Sequence, residues 1–194
     1  MIRSDIRTFK ANVTQQEALR VFTSSGLRSL YWRMRSGPLL RMADAYVPYG
    51  FYRVRYTMGG ASRMVPRGSV THELIFAMDN VDGSLDLFEF STLPDQYDLI
   101  SLETRNHLEA GLDSARAESL LREKVLRVMF QRGFFRLRAD IQLELTRLPL
   151  EIHMPYWLGF YGDGTVLRCR VLDAVRRRIE GAKATAFFEH WLEA

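Results

Sequence analysis

The chain holds one cysteine, Cys169, in 194 residues, so it can form neither an intrachain disulfide nor a multi-thiolate metal cluster of its own. Lysine is nearly missing as well: only 3 of the 27 basic residues are Lys and 24 are Arg. Glycine (13) and proline (6) are too few for a collagenous or low-complexity chain. An apolar content of 47% with 26% charge is that of a folding sequence, long enough to bury a core unaided. No apolar run approaches the roughly 18 residues that span a bilayer, and Met1 to Arg7 has no signal-peptide hydrophobic region, so a cytoplasmic location is expected. Gly-x-Ser-x-Gly elbows, phosphate-binding loops, dinucleotide fingerprints and His-x-x-x-His pairs are all missing.

What is present is an excess of basic charge, formally +4, carried by arginine. Arg-x-Arg recurs at Arg33/Arg35, Arg53/Arg55, Arg136/Arg138, Arg168/Arg170 and Arg176/Arg178, and on a strand residues two apart share a face. Such faces could read phosphates. Carboxylates on neighbouring strands, such as Asp86, Glu144 and Glu151, can instead pair with them, which is the preferred reading and disfavours nucleic acid as a partner.

Two helices announce themselves by their caps. Thr14-Gln15-Gln16-Glu17 is a capping box, predicting a helix from about Gln15 to Ser25 with Gly26 as its stop. Asp113 can cap a second one that carries Ala117, Leu120, Leu121, Val125, Val128 and Met129 at helical spacing as far as Gly133. After each helix the period drops to two: Tyr52 to Tyr56, Ile141 to Leu145 and Leu167 to Val171 alternate, and Cys169 shares the apolar phase of the last. Leu74 to Met78, apolar on both phases, reads as a central strand. Asp82-Gly83 supplies a turn and Leu85 to Phe90 the next strand; Tyr97 to Glu103 could add a short one. Phe187 to Leu192 reads as a last strand running into a helical tail, docked on the core or forming a homo-oligomer contact.

An offset of 107 aligns Leu19-Arg20-Val21 with Leu126-Arg127-Val128, Gly26 with Gly133, Leu30 with Leu137 and Pro48-Tyr49 with Pro155-Tyr156. The later strands align at an offset of 94, which sets Met78-Asp79 on Leu172-Asp173, the difference falling in the Gly59 to Gly68 connection. The expected class is therefore α+β: two repeats of a helix on an antiparallel β-meander, residues 1–95 and 96–194, packed as a pair or fused into one sheet and one domain.

The first half's Asp79-Asn80-Val81-Asp82-Gly83-Ser84-Leu85, after an apolar strand and a capped helix, resembles the PepSY-like unit, a cystatin-like helix-plus-meander module often found in tandem. There the Asp-x-x-x-Gly segment is a hairpin turn; the second half has Arg177 where the pattern has Gly. The resemblance implies a non-catalytic binding or inhibitory module and transfers no site residue.

Aromatic rings gather at Tyr46 to Tyr56 and Tyr156 to Tyr161, each beginning at Pro-Tyr. They are either core residues under a helix or, for the polar-tipped Tyr46, Tyr49, Tyr156 and Trp157, the rim of a groove for a peptide or amphipathic ligand. His153 lies beside one set and aligns with Tyr46, whereas His72, His107 and His190 read as surface or half-buried. Asp79 and Asp82 lack calcium-loop spacing, and no metal or cofactor is expected. The expected function is thus a non-enzymatic module for a protein or peptide partner. The alternatives are a small-ligand pocket or enzyme around His153 and Tyr156, and polyanion binding through Arg53 and Arg55.

Overall fold

The computed structural model describes residues 3–24, 36–59, 70–132, 140–162 and 167–193. Sequence features at Gly26, Leu30, Arg33, Arg35, Gly133, Arg136, Leu137, Arg138 and most of the Gly59 to Gly68 connection lie outside them. The described chain is mixed α+β with a mostly antiparallel sheet whose strands are bonded in the order β4-β3-β2-β6-β1-β5, with β7 and β8 continuing from β6. In chain order the elements are β1 (Ser4–Phe9), α1 (Gln15–Thr23), β2 (Leu39–Gly59), β3 (Val70–Asp79), β4 (Phe88–Phe90), β5 (Leu99–Thr104), α2 (Ser114–Gln131), β6 (Asp140–Tyr161), β7 (Arg168–Asp173), β8 (Arg178–Ile179) and α3 (Ala182–Glu193). The chain divides into two compact units. One comprises Met1–Pro48, Asp95–Glu109 and Ile152–Ala194, the other Tyr49–Pro94 and Ala110–Glu151, so β2 and β6 each contribute residues to both.

In the second unit α2 forms as its pattern dictates. Asp113 accepts from the backbone N–H of Arg116 at 2.9 Å, satisfying a donor that the helix cannot. Ala117, Leu121, Val125 and Met129, spaced four apart, bury one stripe against Tyr52, Val54 and Tyr56 of β2 and Phe76 and Met78 of β3. Each large side chain so buried contributes about 1.5–3 kcal/mol. β3 lies between β2 and β4, as its two-sided apolar run requires.

The strand expected over Leu85 to Phe90 is shortened to Phe88–Phe90. Its beginning is captured by the buried Asp79 carboxylate, which accepts from Gly83 N (2.8 Å), Asp82 N (3.2 Å) and Leu85 N (2.9 Å). Those bonds hold the chain in a turn with Gly83 at φ +73°, where a side chain would be strained.

In the first unit α1 carries both halves of the capping box. Thr14 Oγ1 accepts from Glu17 N at 3.3 Å and Glu17 Oε2 accepts from Thr14 N at 2.8 Å. The helix buries Ala18 and Phe22 with Tyr161, Leu172 and Ala174, and the Phe22 ring lies where a Cβ on Gly159 would come within 3.0 Å of it. Trp157 Nε1 donates to Val13 O and Tyr161 Oη to Phe22 O, both at 2.9 Å. The alternate phase of β6 meets α3, where Phe188 is fully buried and 5.4 Å from the Tyr156 ring.

Of the last strand running into a helical tail expected over Phe187 to Leu192, the helix is what forms, and it takes in the whole segment from Ala182 to Glu193. Ala182, Ala184 and Ala186 favour it, and Ala184, Phe187, Phe188 and Trp191 make an apolar stripe at helical spacing that overrides the strand preference of the aromatics.

Candidate functional site

A polar junction forms in the first unit where three strands meet the segment after β5. Beyond Thr104 the chain crosses to β2 and bridges it in parallel: Tyr46 N donates to Asn106 O (2.8 Å) and Leu108 N to Tyr46 O (2.9 Å). The bridge sets His107 beside His153 of β6, their rings edge-on with centroids 6.3 Å apart. β1 runs parallel to β6 at this point, with Thr8 opposite His153 and its hydroxyl donating to His153 O at 2.9 Å. The Asp44 carboxylate closes the group, accepting from Tyr46 Oη at 3.1 Å and Asn106 Nδ2 at 2.6 Å. Burial, reinforced by the adjoining Asp44 charge and the bond to it, pushes the Tyr46 hydroxyl well above its ordinary pKa, so Tyr46 acts here as a neutral donor. His107 Nδ1 is shut away from solvent and meets no hydrogen-bond partner among the described groups.

This junction brings together Tyr46 and His153 of the residues singled out from sequence. Tyr156 and Trp157 follow on β6 and point to opposite faces: Tyr156 is 2% exposed against α3, and Trp157 is half-buried against the start of α1. Tyr49 is fully buried in the second unit, its ring edge-on to Phe88. Arg53 and Arg55, also there, face carboxylates: Arg53 Nε lies 3.1 Å from Glu73, and Arg55 lies 3.6 Å from Glu73 and 3.3 Å from Glu144. Glu151 instead accepts from Asn80 Nδ2 at 2.6 Å.

Sequence reading missed Asp44, Asn106 and the approach of His107, because residues 44, 106 and 153 share no motif spacing and meet only through strand pairing. Among the described residues no group of three or more His, Cys, Asp and Glu side chains is placed to hold a metal ion. Cys169 is buried, and its thiol is pushed up to about 12 by burial and then by Glu189, so it rests as an unreactive thiol. No described helix is long and apolar enough to cross a membrane.

A different surface stands out by exposure. Asp95 and Asp98 build a reciprocal turn in which Asp95 Oδ1 accepts from Tyr97 N (2.7 Å) and Asp98 N (3.3 Å) while Asp98 Oδ2 accepts from Asp95 N (3.3 Å). Lys10 N donates to Asp98 O at 2.8 Å and ties the turn to the end of β1. The result is a pinned loop from which Tyr97 projects with 81% of its surface exposed, directly before β5. No protein-family model matches the chain, and no curated protein or solved structure matches it significantly.

Proposed function

We propose that the chain is a non-enzymatic binding module for a protein or peptide partner, built from two copies of a PepSY-like, cystatin-like helix-on-meander unit. The observation that carries the binding reading is Tyr97, an aromatic ring left in solvent by a turn that is itself pinned by hydrogen bonds. Tyrosine offers large contact area with few rotors to freeze, which is why rings of this kind anchor recognition surfaces.

Duplication is supported by bonds that repeat at matched places. Tyr49 of Pro48-Tyr49 is the register partner of Asp79, and Tyr156 of Pro155-Tyr156 that of Asp173. Asp173 Oδ1 accepts from Val175 N (2.8 Å) and Arg176 N (2.7 Å), much as Asp79 gathers its turn, and the fourth residue onward is left-handed in each case, Gly83 at φ +73° and Arg177 at +58°. The residue after each Asp accepts a backbone bond from the position two before a helix cap: Asn80 O from Gly111 N (2.9 Å) and Ala174 O from Asn12 N (2.8 Å). In this reading the two copies exchange helices, since α1 precedes β2 in the chain and covers β6 and β7, while α2 precedes β6 and covers β2 and β3.

A second reading, a small-ligand pocket, is favoured by the unpartnered His107 Nδ1 in the junction with His153 and Asp44. A thermal-shift scan against short extended peptides, small metabolites, metals, nucleotides and a polyanion at two salt concentrations separates the readings. A ligand at a hundredfold excess over its Kd stabilises the fold by about 2.7 kcal/mol. A shift from peptides is expected. One from small molecules alone, lost in His107→Ala, would replace the first reading with the second. Because Arg53 and Arg55 are ion-paired, Arg53→Gln/Arg55→Gln is expected to leave the salt slope of any polyanion binding unchanged; a flattened slope would reinstate a phosphate-reading face.

A further inference from the structure

We infer that the outer edge of β5 is the docking strand of this module and that it takes an extended peptide with apolar and basic side chains, an assignment that rests on the binding reading above. Among the described strands β5 ends the bonded order of the sheet and pairs with β1 alone, antiparallel from Leu99 opposite Phe9 to Thr104 opposite Ser4. Half of the backbone donors and acceptors of an antiparallel strand point away from its one neighbour, so this edge offers a ladder that only another extended chain can complete.

Side chains along the edge are arranged for such a guest. Ile100, Leu102 and Thr104 share the phase that faces Ile6 and Thr8 of β1, and Thr104 is 9% exposed and Thr8 fully buried. Ile100 stands opposite Thr8 in that same inward phase, yet it is 43% exposed, because no described strand lies beyond it. A strand added there would cover Ile100, and Tyr97 at the beginning of the edge is placed to clasp its end.

Charge selects the occupant. Asp95 to Thr104 contains Asp95, Asp98 and Glu103 and no Lys or Arg, and the one ion pair formed there among the described residues, Glu103 with Arg3, is a loose 3.7 Å contact in solvent. Two copies meeting edge to edge would set like charges together, whereas a basic extended peptide is complementary and an acidic one is repelled. Glu103 on the strand also acts against self-association, the ordinary hazard of an open edge.

The test titrates the whole chain with three decapeptides: alternating Val and Lys, alternating Val and Glu, and the Val/Lys peptide N-methylated at alternate backbone positions. Affinity is read by calorimetry and the contact by amide hydrogen exchange over the entire chain. The Val/Lys peptide is expected to bind and to slow exchange within Leu99 to Thr104, N-methylation or the Glu series weakening it about tenfold or more. Tyr97→Ala and Ile100→Lys, both at exposed positions, should weaken binding to a similar degree while unfolding at the temperature of the parent. Protection elsewhere, or binding indifferent to N-methylation, overturns the β5 assignment and leaves the module reading standing. Concentration-dependent protection of β5 without peptide makes the occupant a second copy and overturns it too. Absence of binding by all three peptides overturns it as well, and the module reading falls with it only if the peptides of the thermal-shift panel are also silent.

Discussion

At the residue scale, two carboxylates hold the turns and one arginine sits in a backbone shape meant for glycine. Arg177 adopts φ +58° and is retained there by bonds of its own, Nε to Asn12 O at 2.9 Å and a guanidinium contact to Glu17 at 3.4 Å. Arg177→Ala keeps the left-handed cost and loses both contacts; Arg177→Gly loses the contacts and the cost together. Chemical denaturation should therefore rank Arg177→Gly above Arg177→Ala by about 1 kcal/mol. Asp79 is a carboxyl whose pKa burial raises, opposed in part by its three backbone bonds. It is harder to ionise folded than unfolded, so the native state binds its proton more tightly, and the stability it contributes is fully present below the ordinary Asp range and lost as pH rises through the raised native value. Asp79→Asn should abolish that part of the pH dependence in urea melts. It should also cost on the order of 1–3 kcal/mol at neutral pH, because the amide nitrogen cannot accept from one of the N–H groups that the carboxylate now holds. An unchanged pH profile would show that Asp79 ionises as freely in the native state as in the unfolded chain.

At the element scale, the helices rest on signals of different reach. The caps of α1 and α2 were legible because capping chemistry lies within four residues, and Thr14→Ala should lower stability by about 1 kcal/mol in thermal melts. The two-sided run of β3 and the short β5 were legible for the same local reason. α3 was legible only as a tail, since its aromatic run suits a strand until the alanines before it and the Phe188 contact with Tyr156 are taken into account. Nor was the shortening of β4, which depends on a side chain six residues before Leu85. Which helix covers which strands is likewise invisible in local periodicity: the pattern of α1 says that it buries Phe22, and only the fold says that Gly159 receives it. Gly159→Ala should drive the added methyl into that ring and cost about 1–3 kcal/mol, with Phe22→Leu in the same chain restoring part of the loss.

At the scale of the whole molecule, the candidate site shows where sequence reading runs out. Tyr46 and His153 stood out as members of aromatic clusters, and strand pairing does bring them to one junction; their partners come from two places, Asp44 from β2 and Asn106 and His107 from the stretch after β5. The β5 edge left no mark either, because an open edge is a property of what does not pair with a strand rather than of the strand itself. The central claim is that this chain binds an extended partner at that edge, and a selection from a displayed peptide library tests it most directly, run against the parent chain and counter-screened on Tyr97→Ala/Ile100→Lys. Enrichment of sequences with alternating apolar residues and several Lys or Arg, lost on the double variant, is the predicted result. A library that returns nothing, or returns peptides that bind both chains alike, would contradict it.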